Sequence, residues 1–200
     1  KKTMKQEVLF IILNEYADWE SAFVAASLHS GLMPGSEIKY VVKTVAPTLD
    51  PVCSLGGFRT LPDYSFDNLP SDYAALVLIG GMQWQSPEAE RVFPIVQDAF
   101  EKGKVIGGIC NAASFLCAHG FLNNVKHTGN TLAVLKQWGG ERYTNEDGYL
   151  EKQAVGDKNI VTANGTGYLE FTRELLLALK ADTEEKIEAF YDFSKNGFVR

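Results

Sequence analysis

Three places in this chain hold the side chains with most chemical capacity. Cys110 ends the β-like run KVIGGIC (104–110) and opens the helix-like run NAASFLCAHG (111–120). Glu20 lies in ADWES (17–21), just past the apolar run EVLFIILN (7–14). Gly80 and Gly81 close a further apolar run, YAALVLIGG (73–81). A strand that turns at once into a helix lifts its corner residue above the sheet edge in a strained conformation. A cysteine there faces first-turn amides and the helix dipole, which favour a thiolate and lower its pKa. The chemistry expected of Cys110 is attack on a small electrophile, or oxidation. A cysteine closing a buried strand is also a common inert core residue. Here Gly107 and Gly108 favour the functional reading, because they thin the strand where a helix packs closely on it. The backbone amides of Gly81 and Asn111 are expected to form an oxyanion hole. Glu20, in the first turn of its helix, is expected to point at the sulfur; otherwise it is a solvated acid favoured by the dipole.

The elements that would position these residues follow from periodicity. EVLFIILN reads as a central strand. Asp18 is expected to cap a helix through Ser30, with Trp19, Ala22, Phe23 and Ala26 at helical spacing. IKYVVKTVA (38–46) is a second strand, and residues 52–65 a short hairpin. Residues 87–102 form an amphipathic helix in which Pro94 forces a kink or break. NTLAVLKQW (130–138) is another helix, residues 142–165 suggest a hairpin around Asp147–Gly148 and then a strand NIVTA, and 166–180 and 182–196 are helices. Continuous apolar strands alternating with amphipathic helices predict an α/β three-layer sandwich: a mostly parallel central sheet, flavodoxin-like, with helices on both faces. Ligands in such sheets bind beyond the carboxyl ends of the strands, where all three candidate places lie.

The 200 residues, 46% hydrophobic, suit one domain spanning 1–200. The formal charge of −6, with no basic cluster, argues against nucleic-acid binding. No apolar run reaches the roughly 20 residues that cross a bilayer. LFIILN is too short for the apolar core of a signal peptide, and three cysteines, an odd count, argue against a disulfide framework and for a reducing, cytoplasmic compartment. Neither the cysteines nor the scattered His29, His119 and His127 match a metal pattern, so no metal and no cofactor is expected.

LFIILNEYADWES, YAALVLIGG, KVIGGICNAASFLCAHGFL and NIVTANGTGYLEFTRELLLAL, in that order and spacing, resemble the ThiJ/PfpI superfamily, which shares the class I glutamine amidotransferase-like fold. The resemblance covers nearly the whole chain. It implies that Cys110 is the reactive, oxidation-prone cysteine, that Glu20 hydrogen-bonds its sulfur, and that Gly81 and Asn111 supply amides beside it. A protonated Glu20 would donate to the thiolate, whereas an ionised one would repel it, so the pair should titrate as a unit. Protease and amidase members carry a histidine directly after the cysteine; this chain has Asn111, which cannot protonate a leaving amine. His127, in NNVKHTGN, resembles the stretch where some relatives place a histidine near the cysteine; Asn130 is the alternative occupant, and His127 would then be a surface residue. Asp18, Trp19 and Trp84 are further candidates for pocket walls. A glutamine amidotransferase also needs a downstream His–Glu pair, and no histidine follows His127.

Three functions remain open at this level. One is a cysteine-dependent hydrolase of the protease or amidotransferase-like kind, or a glyoxalase- or deglycase-like enzyme, acting on a small carbonyl, amide or acyl substrate. The second is an oxidative-stress sensor or chaperone-like protein with an oxidisable cysteine and no turnover. The third, a regulator domain fused to DNA-binding helices, is disfavoured by the acidity and the lack of an extra module. The resemblance also implies a homodimer, to which the apolar last helix (Ile187, Phe190, Tyr191, Phe193) could contribute; the same helix could instead cover the site or simply dock on the core.

Overall fold

The computed structural model describes residues 4–32 and 34–198. Its strands are β1 (Gln6–Ile11), β2 (Tyr40–Ala46), β3 (Val52–Cys53), β4 (Arg59–Thr60), β5 (Tyr64–Ser65), β6 (Ala75–Leu78), β7 (Val105–Ile109), β8 (Ala154–Asp157) and β9 (Ile160–Ala163). Its α-helices are α1 (Asp18–Ser30), α2 (Pro87–Glu90), α3 (Phe93–Glu101), α4 (Asn111–Ala118), α5 (Leu132–Gly139), α6 (Tyr168–Ala178) and α7 (Glu184–Asn196). Seven strands form one sheet in the order β5-β2-β1-β6-β7-β9-β8, parallel except for β8. The α/β, flavodoxin-like architecture expected from the periodicity is therefore present.

Alternation along the strands builds two cores. Leu9, Ile11, Leu76, Leu78 and Ile106 face Val96 and Ala99 of α3, Phe115 and Leu116 of α4 and Leu135 of α5. Val8, Phe10, Val77, Ile79 and Ile109 face Val24 and Leu28 of α1, Phe171 and Leu175 of α6 and Ile187 of α7. Successive strand residues point to opposite faces, so one apolar run serves both layers.

The structure corrects several local expectations. Asp18 does not cap α1: it is the first helical residue, Ala17 occupies the cap position, and Asp18 Oδ2 accepts from the Gly56 amide at 2.7 Å. α1 is also rotated relative to the expected stripe. Its buried residues are Glu20, Val24, Ser27 and Leu28, while Trp19 is 48% exposed. Phe23 is covered from outside by Phe190 of α7, the rings stacked 5.5 Å apart. The last helix thus docks on α1 and α6. The break at Pro94 is present: α2 ends at Glu90, and Pro94 sits in the first turn of α3. A hairpin does form between residues 52 and 60 (β3 with β4), while Tyr64–Ser65 joins the main sheet. Asp147–Gly148 lies in a short 3-10 turn; the hairpin turns instead between β8 and β9, where Lys158 has φ 53°.

Candidate active site

The carboxyl ends of β1, β6, β7 and β9 are adjacent, and the segments leaving them converge on one sulfur. Cys110 links β7 to α4 with φ 60° and ψ −128°, a conformation costing a non-glycine residue about 1–3 kcal/mol. Two ties hold it there. Its amide donates to Ala163 O (2.9 Å), and its carbonyl accepts from Ala113 N (3.0 Å). Beneath the corner a Cβ on Gly108 would lie 2.6 Å from Leu116 Cδ1, and one on Gly107 3.0 Å from Leu175 Cδ2. These glycines let α4 and α6 close on the strand, as expected.

Glu20 reaches the same point from the first turn of α1 and is 1% exposed. Gly80 separates the two groups so narrowly that an added Cβ would lie 2.4 Å from Glu20 Oε1 and 2.7 Å from Cys110 Cβ. Neither carboxyl oxygen accepts a well-formed hydrogen bond. Desolvation pushes the Glu20 pKa up to about 8, against smaller lowering by the Cys110 thiol and the Gly80 amide.

The thiol does not sit low, as the helix N-terminus suggested. Burial, and then the negative charge of an ionised Glu20, raise the Cys110 pKa; the Asn130 side chain and the Asn111 amide oppose them. Asn130 is the residue sequence reading left as an alternative. Its Nδ2 donates to Cys110 Sγ at 3.1 Å, and its Oδ1 accepts from Gly165 N at 3.0 Å. Gly165 borders the sulfur closely: a Cβ there would lie 3.0 Å from Sγ. Trp19 Nε1 donates to Gly165 O (3.0 Å), so the exposed indole braces this loop from outside. Gly165 was not singled out in the sequence, although TANG (162–165), ending the strand NIVTA and opening G-T-G, was a signal for it.

His127 is not at the sulfur. It is fully buried, with Nδ1 2.8 Å from Val125 O and Nε2 2.6 Å from the Tyr143 hydroxyl. Both ring nitrogens are engaged in the core under α5, and burial lowers its pKa, so it is neither a surface residue nor a partner for Cys110. Trp84 is not a wall of this site either. Its indole is 2% exposed, donates to Ile79 O (2.8 Å) and packs on Phe115 at 4.9 Å. Asp18 braces the β3–β4 hairpin through Gly56. Asn111 adds a tie that its sequence position did not reveal: its Nδ2 donates to Gly81 O (2.7 Å) and joins the corner to the loop after β6. Gly80 O and Met82 N bond to the Glu15–Ala17 segment. Among the described residues no cluster of three His, Cys, Asp or Glu side chains forms a metal site.

Fold and site together define a class: a flavodoxin-like α/β protein carrying a strained cysteine on the turn from strand to helix, with a buried glutamate beside it. Residues 6–178 match the DJ-1/PfpI family, and the chain belongs to that family. It is 40% identical over 194 residues to a protein of Bacillus subtilis named uncharacterized protease YdeA (96% of this chain, 93% of that one). It is 30% identical to uncharacterized protease YoaZ of the same organism (95% and 91%). Among solved structures, a DJ-1 superfamily protein of Agrobacterium tumefaciens aligns with TM-score 0.84 at 32% identity, covering 98% of this chain and all of that one. A thiJ/pfpI family protein of Bacillus anthracis aligns with TM-score 0.88 at 28% identity (99% and 94%).

Proposed function

We propose that this protein is a cysteine-dependent enzyme whose Cys110 thiolate adds to the carbonyl carbon of a small aldehyde, ketone or acyl compound. The observation that carries the reading is the distribution of donors around the pair. Asn130 Nδ2 and the Asn111 amide act on the sulfur, while neither Glu20 oxygen accepts a well-formed hydrogen bond. Burial holds both groups largely protonated; in the reactive form one proton has left the pair, the donors around sulfur favour the thiolate, and the remaining proton stays on Glu20. In that state the S–C bond forms as the carbonyl π pair moves onto oxygen. The Asn111 and Gly81 amides stabilise that oxyanion, and Glu20 delivers the proton it needs.

Addition to a carbonyl requires no protonated leaving amine. Peptide hydrolysis does, and neither Asn111 nor the sequestered His127 supplies that acid. Carbonyl or activated acyl substrates are thus favoured over peptides, although two relatives bear the name protease. No helix among the described residues is long and apolar enough to cross a membrane. A cytoplasmic homodimer is part of the proposal, supported by the family resemblance and by apolar side chains left outside, Trp19 (48% exposed) and Phe193 (68%).

The test is turnover of methylglyoxal and of small aryl esters by wild type, Cys110→Ser and Glu20→Gln. Turnover lost in Cys110→Ser and lowered about tenfold or more in Glu20→Gln supports the enzyme. Absence of turnover, with clean peroxide oxidation of Cys110, would instead favour the sensor role.

A further inference from the structure

Asn130 lies on the loop that precedes α5, where no helix or strand holds it. The outer torsion of an asparagine side chain is soft, so its amide takes its direction from its partners. Here one partner settles that direction. A backbone N–H can only donate, and Gly165 N donates to Asn130 Oδ1 at 3.0 Å. Nδ2 is thereby turned to Cys110 Sγ, 3.1 Å away. A donor in that place favours the thiolate over the thiol. An acceptor there would do the reverse, so the orientation of this one amide bears on the reactivity of the sulfur.

What locates Gly165 therefore matters. Within its own turn, Gly167 N donates to Asn164 O (2.8 Å) and Thr166 N to Asn164 Oδ1 (2.9 Å). Those bonds shape the turn without anchoring it. Asn164 Nδ2 donates to Asn130 O at 3.0 Å and joins the turn to the Asn130 loop. The tie to the opposite wall comes from α1, where Trp19 Nε1 donates to Gly165 O at 3.0 Å. Glycine has the freest backbone of any residue, so an outside anchor has most to restrict here. Trp19 is 48% exposed, so its ring is not spent on filling a core. The next residue, Glu20, faces the sulfur from the same helical turn and is the titratable group beside it.

We propose that Trp19 is a positioning residue for Cys110: its indole N–H holds the Gly165 turn so that Asn130 presents Nδ2 to the sulfur. Three hydrogen bonds in series carry the effect, from indole to Gly165, from Gly165 to Asn130 and from Asn130 to Sγ. The first turn of α1 thus acts on the thiol twice, directly through Glu20 and at a distance through Trp19. The inference rests on the reading of Cys110 as a reactive thiolate and does not require turnover.

The experiment is the pH profile of Cys110 alkylation by iodoacetamide in a double-mutant cycle of Trp19→Phe and Asn130→Leu, with Tm measured for each protein. The modified peptide is read by mass spectrometry, because Cys53 is also exposed. Phenylalanine keeps an aromatic ring and removes the donor. Trp19→Phe should raise the apparent pKa of Cys110 by about half a unit and slow its alkylation at neutral pH about threefold. Its Tm should stay within about 2 °C of wild type, as for an exposed substitution. In the Asn130→Leu background the same change should alter the rate by less than about 1.5-fold, because the relay is already cut. The proposal is overturned by an unaltered profile in Trp19→Phe or by equal slowing in both backgrounds. Slowing that comes with a Tm drop of more than about 5 °C would also overturn it, since the indole would then merely support the fold. Absence of carbonyl turnover with the cycle as expected would overturn the enzyme and leave the relay standing. A Cys110 that is unreactive at every pH would overturn both.

Discussion

Glu20 and Cys110 approach each other across Gly80, whose missing side chain is what allows the contact: a Cβ there would lie 2.4 Å from Glu20 Oε1 and 2.7 Å from Cys110 Cβ. Two acids, one in the first turn of α1 and one on the corner between β7 and α4, are thereby brought into one desolvated volume. Their proton inventory becomes a joint property.

The direction in which Glu20→Gln moves Cys110 reveals where the charge sits. If the proton is on Glu20 and the charge on sulfur, the substitution exchanges a strong donor for a weaker one. The apparent pKa for alkylation of Cys110 should then rise by about one unit, equivalent to about 1.4 kcal/mol. A fall would mean that the wild-type carboxylate is ionised and repels the thiolate, which would sink the proposed proton arrangement.

The same burial makes stability depend on pH. The folded-state pKa of Glu20 is raised from 4.5 to about 8, so folding takes up a proton. Its contribution is fully present below about pH 4.5 and is lost as pH rises towards about 8. Denaturant titrations should show wild type losing a few kcal/mol relative to Glu20→Gln across that window. A constant difference between the two proteins would show that Glu20 is ionised throughout.

The two glycines around the sulfur should fail differently. At Gly80 an added methyl also meets Ile109 O at 2.6 Å, and backbone cannot retreat. Gly80→Ala should cost about 2–4 kcal/mol, read as a drop in Tm. At Gly165 the methyl meets only side-chain atoms, the closest being Sγ at 3.0 Å. Gly165→Ala should fold and react with iodoacetamide at least tenfold more slowly. Equal stability of Gly80→Ala and wild type would contradict the close approach.

Asn130 joins sulfur to the Gly165 loop, so Asn130→Leu should do two things. Loss of the donor to Sγ should raise the Cys110 pKa by about one unit, and the unpaired Gly165 amide should cost about 1–2 kcal/mol. Alkylation profiles and denaturant titrations measure these separately. An unchanged profile would show that Asn130 does not stabilise the thiolate.

His127 should matter to the fold and not to the thiol. His127→Ala leaves a void and an unpaired Tyr143 hydroxyl, at a cost of about 2–4 kcal/mol. Alkylation of Cys110, measured well below the unfolding midpoint, should stay within about twofold of wild type. A large loss of reactivity at full folding would restore a role for the imidazole.

The elbow was readable because everything that makes it is consecutive: a buried strand, two glycines that admit the helices, the cysteine, and a helix start. The meeting of Glu20, Gly81 and Asn111 was readable for a related reason, since parallel strands carry their following segments to one edge. The rotation of α1 was not. Its polar and apolar residues are weakly segregated, and Phe190, arriving from the far end of the chain, covers Phe23 while Glu20 turns inward. The choice between His127 and Asn130 was equally out of reach, since only two residues of loop separate a side chain locked to Tyr143 from one that touches sulfur.

By itself, then, the sequence determined the layered α/β fold, the corner and the family, because local periodicity and contiguous spacing encode them. Tertiary structure alone decided which neighbour bonds the sulfur, that burial raises both acids of the pair, and that His127 is locked to Tyr143 in the core. Those outcomes depend on distances between segments far apart in the chain, and such distances are set only when the two cores close on the sheet.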